Sequence, residues 1–168
     1  YLVVLEMSVL NYSVIFLKIK ENKIKFVKKI NMYPEEICTP MREDLTNVGF
    51  VEMKSLEDVE QVLEKKEGTV LLMVNSVCGC AAGNARPAVK MTTTFDKKPS
   101  VFATVFAGQD IGATAKAREY MLPYPPSSPC IALFKNGALV HFIERHHIEG
   151  RPAQMIAENL QNAFNEYC

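Results

Sequence analysis

Two closely spaced cysteines, Cys78 and Cys80, follow an uninterrupted apolar run at residues 69–74. The run has the length of a strand and contains β-branched side chains, so it predicts a buried β-strand. Residues 81–95 predict a helix, which places both thiols at a strand-to-helix junction. At such a junction, unpaired backbone N–H groups and the positive end of the helix dipole favour an anion. We therefore expect a lowered pKa for a thiol at this position and a reactive thiolate.

A single glycine, Gly79, separates the two cysteines, and glycine permits the tight backbone that a disulfide across one residue requires. We expect so small a ring to be strained and easily reduced, as catalytic disulfides are. A metal site is the alternative, but a tetrahedral site needs four ligands. The three histidines all lie after residue 140, without a matching spacing. The pair therefore favours redox chemistry and no bound metal.

The length and composition are those of one globular domain. The 168 residues allow a sizeable core, and 48% apolar and 23% charged residues are ordinary for such a domain. The formal net charge is zero, so we expect no bulk attraction to nucleic acid or to an anionic membrane. The five cysteines are odd in number and not densely spaced, which argues against a secreted disulfide framework. A reducing compartment is favoured, and we expect a cytoplasmic protein.

The first 31 residues differ from the rest of the chain. They carry six lysines and two glutamates, a net charge of +4, and Glu6 and Asn11 interrupt the apolar run at residues 1–17. That run is marginal for a membrane span, and its positive charges follow it, whereas those of a signal peptide come first. We expect residues 1–31 to be a peripheral extension, and the interpretation that they are not native coding sequence stays open. The domain proper is expected at residues 32–168.

The order of predicted elements indicates an α/β fold. Two helices and a short strand precede the thiols, and Pro87 should kink the helix that follows them. The later elements are a strand at 100–106, a helix at 111–121, a proline-rich loop at 123–129, a hairpin turning at Asn136-Gly137, and a helix from Pro152. Alternating strands and helices imply a mostly parallel sheet, to which the hairpin adds an antiparallel edge. This arrangement resembles the thioredoxin fold, a central mixed sheet flanked by helices.

One segment also resembles thioredoxin locally. Residues 129–137, with the sequence Pro-Cys-Ile-Ala-Leu-Phe-Lys-Asn-Gly, are similar to the thioredoxin segment that begins with a cis proline and continues into the hairpin. The resemblance implies that the Ser128–Pro129 bond is cis and faces the loop of Cys78. It also implies that Ser128, Pro129 and Gly79 contact the substrate, because a cis proline leaves a backbone edge free to pair with a bound peptide or thiol.

Five segments together match the pattern of one family. They are Asn75-Ser76-Val77-Cys78-Gly79-Cys80-Ala81-Ala82-Gly83, Ala85-Arg86-Pro87, Val105-Phe106-Ala107-Gly108-Gln109-Asp110, Pro126-Ser127-Ser128-Pro129 and His146-His147-Ile148-Glu149-Gly150. Over residues 32–168 the chain thus resembles the bacilliredoxins, thioredoxin-like proteins with a CGC site in bacteria that use bacillithiol as their low-molecular-weight thiol. The resemblance implies a thiol–disulfide oxidoreductase that removes bacillithiol from mixed disulfides on client proteins. It further implies bacillithiol as a co-substrate and no bound cofactor.

The resemblance also implies roles for the cysteines. Cys78 would be the nucleophile that attacks the bacillithiol sulfur, and Cys80 the partner that resolves the resulting adduct. Cys168, the last residue, is either an auxiliary resolving thiol or a free tail thiol, and an external thiol is a further alternative. Cys130 departs from the family pattern, in which a small hydroxyl residue is expected after the proline. It is either an accessory thiol or near the site by coincidence.

Two other functions stay open at this point. The chain could be a general protein disulfide isomerase or reductase, or a metal or iron–sulfur carrier that uses the same thiols. Among the remaining candidates, Cys38 is expected to be a buried small hydrophobe, and His146 and His147 are expected on the surface. Arg86 is expected on a solvated helix face, with anion binding toward a charged thiol as the alternative. The sequence leaves the oligomeric state, the clients and the regenerating reductase open.

Overall fold

The computed structural model describes residues 33–168, so the extension expected at residues 1–31 lies outside the described residues. The strands are β1 Val51–Glu52, β2 Thr69–Asn75, β3 Val101–Phe106, β4 Cys130–Lys135 and β5 Ala138–Ile143. The helices are α1 Glu35–Thr46, α2 Leu56–Leu63, a π-helical turn Ala81–Ala85 continuing into α3 Arg86–Thr92, α4 Ile111–Glu119, α5 Arg145–Ile148 and α6 Ala153–Tyr167. Within residues 33–168, no helix is long and apolar enough to cross a bilayer.

The strands form one five-stranded sheet in the order β1-β3-β2-β4-β5. β3 is parallel to both β1 and β2, whereas β4 is antiparallel to β2 and β5 is antiparallel to β4. The expected mixed sheet with an antiparallel hairpin at its edge is therefore confirmed. β2 lies at the centre with all of its residues buried, and this position explains its uninterrupted apolar sequence.

The strand register brings three loops to one edge of the sheet. In the parallel pair of β2 and β3, Asn75 lies beside Phe106, so the two strands end together. β4 runs in the opposite direction and begins with Cys130 opposite Val74. We call this edge, where β2 and β3 end and β4 begins, the thiol edge. It carries the CGC loop after β2, the segment 107–110 after β3 and the proline-rich loop before β4.

Helices cover both faces of the sheet. Because side chains alternate along a strand, Leu71 and Met73 of β2 lie in one core cluster and Leu72 and Val74 in the other. The first cluster includes residues of α3 and α6, and the second includes residues of α2 and α4. We call these two sides the α3/α6 face and the α2/α4 face. Each buried leucine contributes about 1.5–3 kcal/mol to stability, so the two clusters hold the layers together.

The helix after the thiols differs from the expected one. The sequence predicts a helix over residues 81–95 that is kinked at Pro87, whereas the structure has the π-helical turn followed by α3. The Arg86 N–H donates to the carbonyl of Ala81, five residues earlier. Proline has no N–H to donate and crowds the carbonyl four residues before it, and a π turn contains one residue more than an α turn. The wider turn therefore accommodates Pro87 at the start of α3.

Candidate thiol site

Cys78 and Cys80 form a disulfide at the thiol edge, just beyond the end of β2. Their Cα atoms are 5.4 Å apart. Cys80 is 9% exposed and Cys78 is half-buried, so Cys78 is the more accessible of the two. Gly79 is exposed, and a Cβ placed there would meet no atom within 4 Å. The surface over the disulfide is therefore open to a reactant.

The sulfur of Cys78 has two polar neighbours. The Ala81 N–H donates to Cys78 Sγ over 3.3 Å, which is the helix-start contact that the sequence predicts for a thiolate. Ser76 Oγ also lies 3.3 Å from the same sulfur. In the described part of the chain, Cys80 Sγ has no hydrogen-bond partner of this kind. The asymmetry in exposure and hydrogen bonding favours Cys78 as the attacking thiol.

Arg86 is 4% exposed, so the expectation of a solvated helix face is wrong. Its Nη1 donates to Asn75 Oδ1 over 3.1 Å and to the Ser76 carbonyl over 3.2 Å. Its Nε donates to Asp44 Oδ2 over 3.1 Å. Arg86 thereby contacts Asn75, the last residue of β2, and Ser76, the residue after it. The sequence shows an arginine among small helical residues, but the carboxylate that allows its burial lies on α1, 42 residues earlier.

The Ser128–Pro129 peptide bond is cis, as expected. Pro129 is buried directly before β4, so the register of β4 with β2 places it at the thiol edge. The Ser128 carbonyl accepts a hydrogen bond from Arg145 Nη1 over 3.2 Å. A second cis bond, Leu122–Pro123, was not predicted. Substrate binding by Ser128, Pro129 and Gly79 stays a prediction.

Cys130 follows Pro129, but its side chain lies on the other side of the sheet from α3. It is 1% exposed and belongs to the core cluster of the α2/α4 face. Burial raises the pKa of the Cys130 thiol to about 12, against the opposing effects of Ser127 and Arg118. The thiol is therefore protonated at neutral pH. An accessory role for Cys130 would require this part of the core to open.

Cys168 is exposed at the C-terminal end of α6. The N-terminal end of α6 lies near the π-helical turn, because the Asn84 side chain donates to the Arg151 carbonyl. The C-terminal end lies near the segment after α3, where Lys97 Nζ donates to the Asn165 carbonyl over 2.6 Å. With a rise of about 1.5 Å per residue, α6 separates its two ends by roughly 22 Å. The structure therefore does not bring Cys168 to the CGC disulfide, and its resolving role stays a prediction.

Cys38 and the two adjacent histidines take the positions expected of them. Cys38 is fully buried in α1, and burial, with a further contribution from Glu35, raises its pKa. His146 and His147 are exposed. Among the residues that the structure describes, no group of three or more His, Cys, Asp and Glu side chains could hold a metal ion.

A buried charge cluster beside the site was not predicted. Arg42 of α1 is 6% exposed and donates to the two carboxylate oxygens of Asp110 over 2.8 and 3.0 Å. It also donates to Glu52 of β1 and to Glu35 at the start of α1. Burial opposes the charge on Arg42, but the hydrogen bonds to Asp110 and Glu52 outweigh it and raise the pKa of Arg42. The cluster ties α1 to β1 and to the segment before α4.

Known proteins of similar sequence are bacilliredoxins. Residues 33–168 match the model of a protein family described as disulphide isomerase. The chain is 56% identical over 135 residues to the bacilliredoxin of Cytophaga hutchinsonii, an alignment that covers 80% of this chain and 99% of that protein. It is 52% identical over 136 residues to a bacilliredoxin of Halalkalibacterium halodurans, covering 81% of this chain and 94% of that protein.

Solved structures of similar fold are thioredoxins. The thioredoxin of Malassezia sympodialis has a TM-score of 0.52 at 17% identity, covering 71% of this chain and 90% of that chain. The reduced thioredoxin pre-protein of Schistosoma mansoni has a TM-score of 0.51 at 21% identity, covering 71% of this chain and 98% of that chain. At these identities the likeness shows the fold alone, and it is the thioredoxin fold that the sequence predicts. Because half or more of the aligned residues are identical to bacilliredoxins along nearly their whole length, the chain belongs to the bacilliredoxin family.

Proposed function

We propose that this thiol–disulfide oxidoreductase removes bacillithiol from mixed disulfides on client proteins. The observation that carries the proposal is the Cys78–Cys80 disulfide at the thiol edge, in which the accessible sulfur is also the hydrogen-bonded one. Bacillithiol is proposed as the co-substrate because the relatives are named bacilliredoxins. A reducing compartment such as the cytoplasm suits this chemistry, because thiols are kept reduced there.

In the first step, the reduced Cys78 thiolate attacks the bacillithiol sulfur of the mixed disulfide. The bond between the client and bacillithiol breaks, and a disulfide between Cys78 and bacillithiol forms. The client sulfur leaves as a thiolate and takes a proton from solvent. The Ala81 N–H supports the attacking form, because it donates to Cys78 Sγ. The open surface at Gly79 leaves room for the incoming disulfide.

In the second step, the Cys80 thiolate attacks Cys78 Sγ. The bond between Cys78 and bacillithiol breaks, and bacillithiol leaves as a thiolate that takes up a proton. The enzyme ends as the Cys78–Cys80 disulfide, which is the form in the structure. Two electrons have then passed from the enzyme dithiol to the mixed disulfide, giving one client thiol and one bacillithiol. A two-electron reductant from outside the chain must restore the enzyme dithiol.

Mass spectrometry of cysteine variants tests the proposal, with one peptide that carries bacillithiol on its single cysteine and the same peptide carrying glutathione. We expect the reduced wild-type protein to release the free peptide and to end as the internal disulfide. Cys80→Ser should release the peptide but retain one bacillithiol on Cys78, because the neighbouring thiol is missing. Cys78→Ser should release no peptide. Cys168→Ser is the matched control variant and should behave as the wild type does. If this variant instead retained bacillithiol on Cys78, then Cys168 and not Cys80 would be the thiol that resolves the adduct.

Other outcomes would contradict parts of this scheme. An adduct on Cys80 in the Cys78→Ser protein, formed at the wild-type rate, would reverse the two roles. Equal rates with both peptides would leave an oxidoreductase without preference for bacillithiol. Failure to react with either peptide would refute the proposed activity.

A second candidate is protein disulfide isomerase, because the matching family model carries that description. Isomerisation would use the same Cys78 thiolate, but the bond attacked would join two cysteines of a client. The rate at which the reduced protein restores a scrambled disulfide protein can be compared with its rate of bacillithiol removal. Isomerisation as the faster reaction would favour this candidate.

A further inference from the structure

We propose that Ser76 is a catalytic residue that donates a hydrogen bond to the Cys78 thiolate, and that Arg86 is the positioning residue that holds Ser76 in place. The assignment deepens the proposed function, since it rests on Cys78 as the attacking thiol. Both residues are buried beneath the CGC loop, since Ser76 is 8% exposed and Arg86 is 4% exposed.

The contact between Ser76 and Cys78 favours the thiolate over the thiol. Ser76 Oγ lies 3.3 Å from Cys78 Sγ, and the burial of Ser76 leaves little water to compete for its hydroxyl. A thiolate carries no proton, so the hydroxyl must be the donor once Cys78 is reduced and ionised. A hydrogen bond to an ionised acceptor is stronger than one between neutral groups. The hydroxyl therefore raises the population of the reactive form.

The main chain of Ser76 is held on both sides. The Ser76 N–H donates to Asn75 Oδ1 over 2.9 Å, and the Ser76 carbonyl accepts from Arg86 Nη1 over 3.2 Å. The same Nη1 donates to Asn75 Oδ1 over 3.1 Å, which links the two supports. Asn75 Nδ2 in turn donates to the Met41 carbonyl of α1 over 3.0 Å. With both of its main-chain polar groups paired, Ser76 has its Cα held at a position from which the hydroxyl reaches Cys78 Sγ.

Arg86 acts through Ser76 and is not a ligand of the sulfur. Its hydrogen bonds go to Asp44, Asn75 and Ser76, and none within residues 33–168 goes to a cysteine. The Asp44 carboxylate accepts from Arg86 Nε over 3.1 Å and from Lys90 Nζ over 2.6 Å. This carboxylate offsets the guanidinium charge close to its source. The effect of Arg86 on Cys78 should therefore depend on the geometry that it imposes on Ser76.

Alkylation of the reduced protein by iodoacetamide tests the role of Ser76, with the modified Cys78 peptide quantified by mass spectrometry across pH. Ser76→Ala should slow the alkylation of Cys78 at about pH 6 by roughly ten- to a hundredfold, the effect of one hydrogen bond to a charged group. At high pH, where every thiol is ionised, the rate should be nearly unchanged. Ser76→Thr keeps the hydroxyl and should restore most of the loss. Ser100→Ala, at the opposite edge of the sheet, is the matched control and should have no effect.

The double variant Ser76→Ala/Arg86→Lys, compared with its two single variants, tests the role of Arg86. Arg86→Lys keeps the positive charge but cannot reach all three partners, so it should slow Cys78 alkylation at low pH as Ser76→Ala does. If Arg86 acts through Ser76, the double variant should be no slower than the slower single variant. Asp44→Asn loosens Arg86 more gently, and it should slow the reaction in the same direction if Arg86→Lys fails to fold. Thermal unfolding followed by circular dichroism identifies any variant that does not fold.

Two outcomes would overturn the assignment. An unchanged pH profile in Ser76→Ala would remove Ser76 from the site, and a fully additive double variant would show that Arg86 does not act through Ser76. Alkylation needs no client, so these results are independent of the proposed function. A shifted pH profile in a protein that does not remove bacillithiol would refute the proposed function and keep the assignment of Ser76.

Discussion

Replacement of Arg42 by methionine should leave the Asp110 carboxylate without its cation. Methionine is apolar and of similar length, so it fills the space, and Glu52 keeps only its ion pair with the exposed Lys54, over 2.9 Å. The side chains of Asp110 and Glu52 are 10% and 17% exposed. We expect a loss of about 3–5 kcal/mol in the free energy of unfolding, the usual cost of leaving a buried charge without its partner. The ion pair with Glu35 should contribute little, because that side chain is 48% exposed.

Urea unfolding at neutral pH and scanning calorimetry measure the effect. For a domain of this size, the loss corresponds to a fall of about 10–20 °C in Tm. Lys116→Met is the control, because its ion pairs with Glu60 and Glu119 are on the surface and should matter little. The double variant Arg42→Met/Asp110→Asn should recover part of the lost stability, since residue 110 then carries no unpaired charge.

The outcome distinguishes a buried cluster from a hydrated one. A loss below about 1 kcal/mol for Arg42→Met would mean that water replaces the guanidinium, so that the cluster is not effectively buried. A double variant less stable than Arg42→Met would contradict the idea of stranded charge. The site should respond as well, because α1 also carries Met41 and Asp44, which contact Asn75 and Arg86. Slower alkylation of Cys78 at low pH is therefore expected in Arg42→Met.

Three further results are expected. Iodoacetamide at about pH 8 should modify Cys168 in the native protein and leave Cys130 intact until urea unfolds it, because burial raises the pKa of Cys130 to about 12; equal labelling would contradict the buried position. The hydrogen bond from Lys90 is the main cause of the lowered pKa of Asp44. The stability that Asp44 contributes is therefore complete above its unfolded pKa of about 3.9, and it is lost as the pH falls through the lower folded pKa. Asp44→Asn should therefore lower the urea midpoint at pH 7 and make that midpoint fall less steeply as the pH is lowered. A midpoint that falls with pH as steeply as in the wild type would count against the ion pair. Deletion of residues 1–31 should leave the urea midpoint and the rate of bacillithiol removal unchanged, and a fall in either would make that segment part of the domain.

The sequence is most informative where the local pattern and the tertiary environment require the same residues. β2 reads as a buried strand because it is central and covered on both faces. Asn136 and Gly137 have φ values of 53° and 81°, the positive values that an Asn-Gly hairpin turn needs. Ser55-Leu56-Glu57-Asp58 resembles a capping-box sequence, and Ser55 and Asp58 form both of its hydrogen bonds. The cis bond before Pro129, by contrast, was predicted from a family resemblance and not from the local pattern.

Buried charge is what the sequence pattern does not predict. Helical periodicity assigns arginine to the solvent, because a charge is costly to bury without a partner. Arg86 and Arg42 have such partners in Asp44 and Asp110, which lie 42 and 68 residues away in the chain. Only the tertiary fold brings these carboxylates close, so no window of sequence contains both members of either pair. The residues that support the thiol site are therefore less predictable than the thiols.

The fold keeps the other thiols of the later chain, Cys130 and Cys168, away from the CGC pair. Cys130 belongs to the α2/α4 face, whereas the residues that follow Cys80 pack on the α3/α6 face. A disulfide requires two Cα atoms within about 7 Å and side chains that point toward each other. Cys168, at the distant end of α6, fails the distance requirement. Any protein that exchanges disulfides can be trapped in a wrong cysteine pairing. In the folded chain, the positions of Cys130 and Cys168 keep both from pairing with Cys78 or Cys80, so the proposed exchange would be confined to the CGC cysteines.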